Sequence, residues 1–271
     1  MRYIKTGISV IASVVLLATA STGFAQLPAP NESGISTGHI HFTVPDPAKH
    51  LKIWESLGGK AGASGPLQYV AFPGMYILVT EGTSEVPSIQ TSANHIGFSV
   101  KDYAAYRAKL VEAGATFFFE SAENGQILAD LPDGVRVEIL TDKEQAEPII
   151  FHHMHLAAAD TMALREWYLK VFGAEAGERR GLPSALVPGG RVDVMGAPAN
   201  GPAPRGSKGG ALDHIGFEVA DMDAFAAHLQ SLGIKFDSEP RRIDAIGLTI
   251  AFLTDPVGTY IEVTEGLADL K

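Results

Sequence analysis

Between residues 39 and 44 the chain alternates apolar and polar positions: Ile40, Phe42 and Val44 fall on one side, His39, His41 and Thr43 on the other. A period of two predicts a strand with one buried face. Asp46 then stands where a helix N-cap belongs, with Pro47 at the first helical position, so a helix is expected to begin there. Gly58 marks its end, and the apolar runs from Leu67 to Phe72 and from Met75 to Thr80, separated by proline and glycine, predict further strands.

The same arrangement recurs three more times. The segments His39 to Asp46, His95 to Asp102, His153 to Asp160 and His214 to Asp221 each open on histidine and close on aspartate, and the opening histidines lie 56, 58 and 61 residues apart. A glycine follows each aspartate by 12 or 13 positions, at Gly58, Gly114, Gly173 and Gly233. In the third copy helical spacing shows in Leu164, Trp167, Tyr168 and Val171, and Trp167 and Tyr168 are read as helix-face packing. The chain is four copies of one unit of strand, helix and about three strands. A unit of roughly 58 residues buries little surface alone, so units are expected to pair and share a core. Pairing neighbours in sequence gives two domains, residues 36–145 and 150–267, joined by the charged, proline-ended stretch Asp142 to Pro148. The segment from Gly196 to Gly210, with three prolines and five glycines, reads as the loop between the third and fourth units.

Composition changes the picture first at the N-terminus. Arg2 and Lys5, the apolar run from Ile8 to Ala18 and the small residues at Gly23-Phe24-Ala25 have the form of an export signal cleaved after Ala25. That run is shorter than the roughly 20 residues a bilayer crossing needs, so the mature protein is expected to be soluble, periplasmic or secreted. The formal charge is −10, from 21 Lys+Arg against 31 Asp+Glu, and loss of residues 1–25 removes two further positive charges. So acidic a chain is not expected to bind nucleic acid or an anionic membrane; the expected partner is a small-molecule substrate, met as a monomer or homodimer. With no cysteine, disulfides and thiolate ligands are excluded, and a metal site must use His, Asp or Glu.

The repeated unit resembles that of the vicinal oxygen chelate superfamily, which includes glyoxalase I, extradiol dioxygenases, methylmalonyl-CoA epimerase and bleomycin-resistance proteins. The resemblance covers nearly the whole mature chain. It implies an α+β fold of four βαβββ modules paired into two curved mixed-sheet domains, of the glyoxalase/dihydroxybiphenyl dioxygenase kind. It also implies a divalent metal on the concave face, held by the first and last strands of paired modules. The first-strand positions are His39, His95, His153 and His214, and the last-strand positions are Leu78, Glu138, Asp193 and Glu262. Strand parity agrees: with Val137, Ile139, Ile261 and Val263 on the apolar side, Glu138 and Glu262 share the face of the histidines.

Paired in sequence order, the N-terminal domain offers His39, His95 and Glu138, and the C-terminal domain His153, His214, Glu262 and Asp193, the last being short for its place. Two imidazoles and a carboxylate with open positions suit Fe, Mn, Ni or Zn as the divalent ion. The C-terminal set is the fuller, and Asp255-Pro256-Val257-Gly258 before Glu262 matches a turn typical of the family, so the active centre is expected there. Glu262 and His155 are the acid/base candidates, with His41 as the counterpart of His155. His50, His152 and His228 are read as structural or surface residues.

A metal on an open concave face suits a lyase or isomerase, because it holds adjacent oxygens of a substrate and stabilises an enolate. Two alternatives stand beside it. In an extradiol dioxygenase a tyrosine is expected three residues before the Asp-Pro turn, where this chain has Phe252, and a histidine upstream of it, where none follows His228. A non-enzymatic binder of the bleomycin-resistance kind would not require histidine at all four first-strand positions.

Overall fold

The computed structural model describes residues 27–84, 86–198 and 202–270; the expected export signal lies outside them. Four modules follow one another. The first comprises β1 (Ile35–Val44), α1 (Pro47–Ser56), β2 (Lys60–Ser64), β3 (Leu67–Phe72) and β4 (Met75–Glu81). The second comprises β5 (Ala93–Val100), α2 (Tyr103–Glu112), β6 (Thr116–Ser121), β7 (Gln126–Leu131) and β8 (Val135–Thr141). The third comprises β9 (Ile149–Ala158), α3 (Thr161–Phe172), β10 (Glu175–Arg179), β11 (Leu182–Val187) and β12 (Gly190–Gly196), and the fourth β13 (Leu212–Val219), α4 (Met222–Ser231), β14 (Ser238–Ile243), β15 (Leu248–Thr254) and β16 (Tyr260–Glu265).

The local signals act as their chemistry requires. Asp46, Asp102, Asp160 and Asp221 are the N-caps, their side chains accepting hydrogen bonds from the amides of Lys49, Ala105, Ala163 and Ala224. Gly173 ends α3 in the left-handed region at φ 57°, a conformation glycine adopts without steric cost. Ile40, Phe42, Val44, Val137, Ile139, Ile261 and Val263 are fully buried, as the alternation demands. Tyr168 is buried and Trp167 packs against the core. Among the described residues no helix is long and apolar enough to cross a membrane.

The modules pair differently from sequence order. One eight-stranded sheet runs β14-β15-β16-β13-β1-β4-β3-β2 and the other β10-β11-β12-β9-β5-β8-β7-β6. Module one therefore joins module four through antiparallel β1 and β13, with Ile40 opposite Ile215, and module two joins module three through β5 and β9, with Ile96 opposite Met154. The expected pairing within residues 36–145 and within 150–267 is corrected accordingly. The physical reason lies between the sheets, where both contribute to one continuous apolar core. Trp54 of α1 stacks on Phe42 at 5.3 Å and meets Phe98 of the other sheet at 6.0 Å, while Phe172 of α3 stacks on Phe217 of the other sheet at 4.1 Å. Residues 199–201 of the long loop lie outside the description; its remainder crosses to module two, where Arg205 exchanges backbone hydrogen bonds with Gln90 and Ser92.

Candidate metal centres

Each sheet gathers four ligand-type side chains where its two first strands meet: His39, His41, His214 and Glu262 in one, His95, Glu138, His153 and His155 in the other. Within each group the ligand atoms lie within 4.8 Å of one another. All seven residues named as metal ligands from sequence are thus at or beside a centre, but the cross-pairing regroups them. His39 joins His214 and Glu262 instead of His95, and His153 joins His95 and Glu138 instead of His214. The odd modules supply two histidines two residues apart, and the even modules supply one histidine and the glutamate of the last strand.

In the first centre the Nε2 atoms of His39 and His214 both lie on Oε2 of Glu262, at 3.0 and 2.8 Å. Burial alone would raise the pKa of Glu262, but hydrogen bonds from His214 and His39 outweigh it and hold the carboxyl well below its usual range. Nδ1 of His214 meets Asp213 Oδ1 at 2.6 Å. Burial opposes a charge on that ring, yet the hydrogen bonds to Asp213 and Glu262 prevail and raise it to about 9. His41 is the half-exposed member; its Nε2 meets Thr80 Oγ1 at 3.1 Å and its ring lies 4.4 Å from that of His214. Burial, then the neighbouring His214 and His39, push His41 down to about 3, so it is neutral. The Nδ1 atoms of His39 and His41 are buried with no hydrogen-bond partner. Two imidazoles and a carboxylate converging on one point, with uncompensated nitrogens beside them, fit a borderline divalent cation.

The second centre has the same frame and a different filling. Glu138 Oε2 meets Nε2 of His153 at 2.9 Å and of His95 at 3.5 Å, while His155 Nδ1 lies 2.9 Å from His95 Nε2. Burial would raise Glu138, but the two histidine hydrogen bonds outweigh it and hold the carboxyl down. Burial lowers His95 to about 4 against the pull of Glu138, and lowers His155 as well. The guanidinium of Arg179 enters this cluster, with Nη2 3.4 Å from Glu138 Oε2 and Nε 2.5 Å from Asp193 Oδ2. Ser184 Oγ donates to the other oxygen of Asp193. Asp193 is fully buried at the predicted place, yet both its oxygens are engaged, and it anchors Arg179. The donor set here already encloses a cation.

Several site residues escaped the sequence reading. Asp213 and Asn94 directly precede His214 and His95 and meet their Nδ1 atoms, at 2.6 and 2.8 Å, which fixes ring orientation. An Asx residue ahead of each even-module histidine was the available signal. Thr80 and Arg179 carried none, because what brings them in is register between strands. Of the histidines set aside, His50 reaches Asp133 at 2.9 Å, His152 meets Nδ1 of His153 at 2.8 Å and His228 meets the Lys170 carbonyl.

The comparisons with known proteins agree with this fold. The model of the Glyoxalase/Bleomycin resistance protein/Dioxygenase superfamily matches residues 150–263, the third and fourth modules. The structure of glyoxalase I from Zea mays is similar with a TM-score of 0.65 at 17% identity, covering 87% of this chain and 94% of that one. A point mutant of that protein gives 0.67 at 15% identity over the same shares. A putative dioxygenase from Bacillus subtilis subsp. subtilis str. 168 gives 0.61 at 14% identity, covering 89% of this chain and 86% of that one. At such identities the likeness is one of fold. No curated protein matches the chain. The third and fourth modules thus match the glyoxalase/bleomycin resistance/dioxygenase superfamily, and the chain as a whole has the fold of the glyoxalase I structures.

Proposed function

We propose that the protein is an exported, metal-dependent enzyme, a lyase or isomerase acting on a small substrate with two adjacent oxygens, and that its active centre is the one formed by β1, β13 and β16. The observation that carries this reading is the convergence of His39 Nε2 and His214 Nε2 on one oxygen of Glu262, with His41 at the half-exposed side. His39, His214 and Glu262 would hold the metal. Bound there, a divalent ion would supply Lewis-acid stabilisation of the negative charge that develops on adjacent substrate oxygens.

The chain's own groups do the rest. Glu262 stays ionised through its imidazole partners, and Asp213 locks the His214 ring from behind. His41, neutral and tethered at Nε2 by Thr80, has an unpartnered Nδ1 buried beside the His214 ring, and this is the atom assigned to proton exchange with a bound substrate. Phe252 and Tyr260, stacked at 4.9 Å, stand edge-on to His214 at 5.6 and 5.9 Å and give that wall an aromatic surface. Tyr69, Tyr76, Leu78, Leu248 and Ile250 form an apolar cluster on the same sheet. An apolar wall without a phenol at position 252 favours isomerase or lyase chemistry over ring cleavage.

The test is turnover of a 2-oxoaldehyde–thiol adduct by metal-loaded protein, alongside a catechol. The reading expects turnover of the first, with Glu262→Gln and His41→Ala each lowering kcat/KM by about 10²-fold or more. Ring opening of the catechol with an inert 2-oxoaldehyde would overturn it, as would saturable binding with no metal requirement.

A further inference from the structure

The two centres are built on one plan, and three matching positions set them apart. In the third module Arg179 lies opposite Leu182, and Ser184 opposite Asp193. In the first module the same register places Ser64 opposite Leu67, and Tyr69 opposite Leu78. Arg179, Ser184 and Asp193 thus occupy the places of Ser64, Tyr69 and Leu78. One wall is ionic and the other uncharged.

The ionic wall reaches the ligands. Arg179 has a side chain only 13% exposed; besides Asp193 and Glu138, its Nη2 lies 3.5 Å from Nε2 of His153. It therefore stands beside two of the atoms that a metal would need. Glu138 is engaged further by Gln126, whose Nε2 donates to Oε1 at 2.5 Å, and Gln126 is held in turn by Arg180 at 3.0 Å. Arg180 sits in the left-handed region at φ 51°, so backbone strain is accepted where this network is assembled. In the first centre Glu262 has the two imidazoles as its partners, and among the described residues no guanidinium or ammonium pairs with it.

We propose that Arg179 is a built-in cation that takes the metal's place at the second centre, so that the chain loads a single divalent ion, between β1 and β13. A guanidinium is permanently charged and anchored by the fully buried Asp193. A metal would gain Glu138 and His153 only by displacing it. This rests on the metal-dependent reading above for the first centre, and on Arg179 alone for the second.

The test is zinc stoichiometry. Full-length mature protein without a histidine tag is stripped with chelator, loaded with zinc(II), desalted and analysed for bound metal. The wild type is expected to hold one equivalent, lost in His39→Ala/His214→Ala and kept in His95→Ala/His153→Ala. Arg179→Met is expected to hold two, the second being lost when His95→Ala/His153→Ala is added. Should Arg179→Met fail to fold, Arg179→Met/Asp193→Asn removes both members of the ion pair and is expected to give the same doubling. Two equivalents in the wild type, one lost from each histidine pair, would overturn the proposal, as would a folded Arg179 variant that stays at one. A zinc-free wild type whose Arg179→Met variant takes up one equivalent at the second centre would sustain the role of Arg179 while sinking the metal-dependent function.

Discussion

At the scale of the residue, the glycines of the even modules decide whether the histidine pairs fit. A Cβ on Gly216 would lie 2.2 Å from Nδ1 of His39, and one on Gly97 2.0 Å from Cε1 of His153. The pattern His-x-His in one strand thus requires His-x-Gly in its partner. Gly216→Ala is expected to displace His39, weakening zinc binding at least tenfold by titration, and to cost about 1–3 kcal/mol of stability through overpacking. Gly97→Ala should cost similar stability and leave the zinc content unchanged. Unaltered zinc affinity in Gly216→Ala would remove His39 from the ligand set. Glu218, on the face that His214 shares, shows a different burial effect. Burial raises its carboxyl to about 7, despite hydrogen bonds from Thr264 and the Gly266 and Ala268 amides. Its protonated form is favoured in the folded chain, so the stability it contributes is full below about pH 4.5 and is lost as pH rises through about 7. Glu218→Gln keeps the amide acceptor and cannot ionise. It should flatten that decline, which amounts to on the order of 3 kcal/mol, in denaturant melts between pH 5 and 8.

At the scale of the element, the turn from Asp255 to Gly258 is a structural bolt. Asp255 accepts hydrogen bonds from the amides of Val257 and Thr259 and from the Tyr168 hydroxyl at 3.0 Å, tying α3 of one sheet to the β15–β16 turn of the other. Asp255→Ala leaves a buried phenol and two amides unpaired, a loss expected at about 2–4 kcal/mol, whereas Asp255→Asn should cost about 1. Zinc content should stay the same in both; its loss in a folded Asp255→Asn would make the turn part of the site. Elements of this kind were open to sequence reading, because caps, glycines and strand parity are local: Asp46, Asp102, Asp160 and Asp221 cap as expected, and Glu138 and Glu262 face the histidines. Register across strands was not. Nothing near Arg179 in the chain says that β10 sets it against Asp193, and nothing near Asp193 says that its carboxylate is already engaged.

At the scale of the whole molecule, the partner of each module is set by long-range packing. Pairing one with two, or one with four, matches a His-x-His strand to a His-x-Gly strand equally well, so the repeat leaves both open. What separates them is the core, in which Trp54 meets Phe98 and Phe172 meets Phe217 across the two sheets. Consequently neither half of the chain owns a centre: the first contributes His39 and His41, the second His214 and Glu262. With one core, thermal unfolding should be a single transition whose calorimetric and van't Hoff enthalpies agree. Zinc at 100 times its Kd adds about 2.7 kcal/mol, which for a chain of this size moves the midpoint by about 5–10 °C. Because an ion held by His39, His214 and Glu262 would join both halves, the whole transition should move together and keep its shape. Two transitions, only one of them shifted by zinc, would show that the halves fold independently and that the shared core does not couple them.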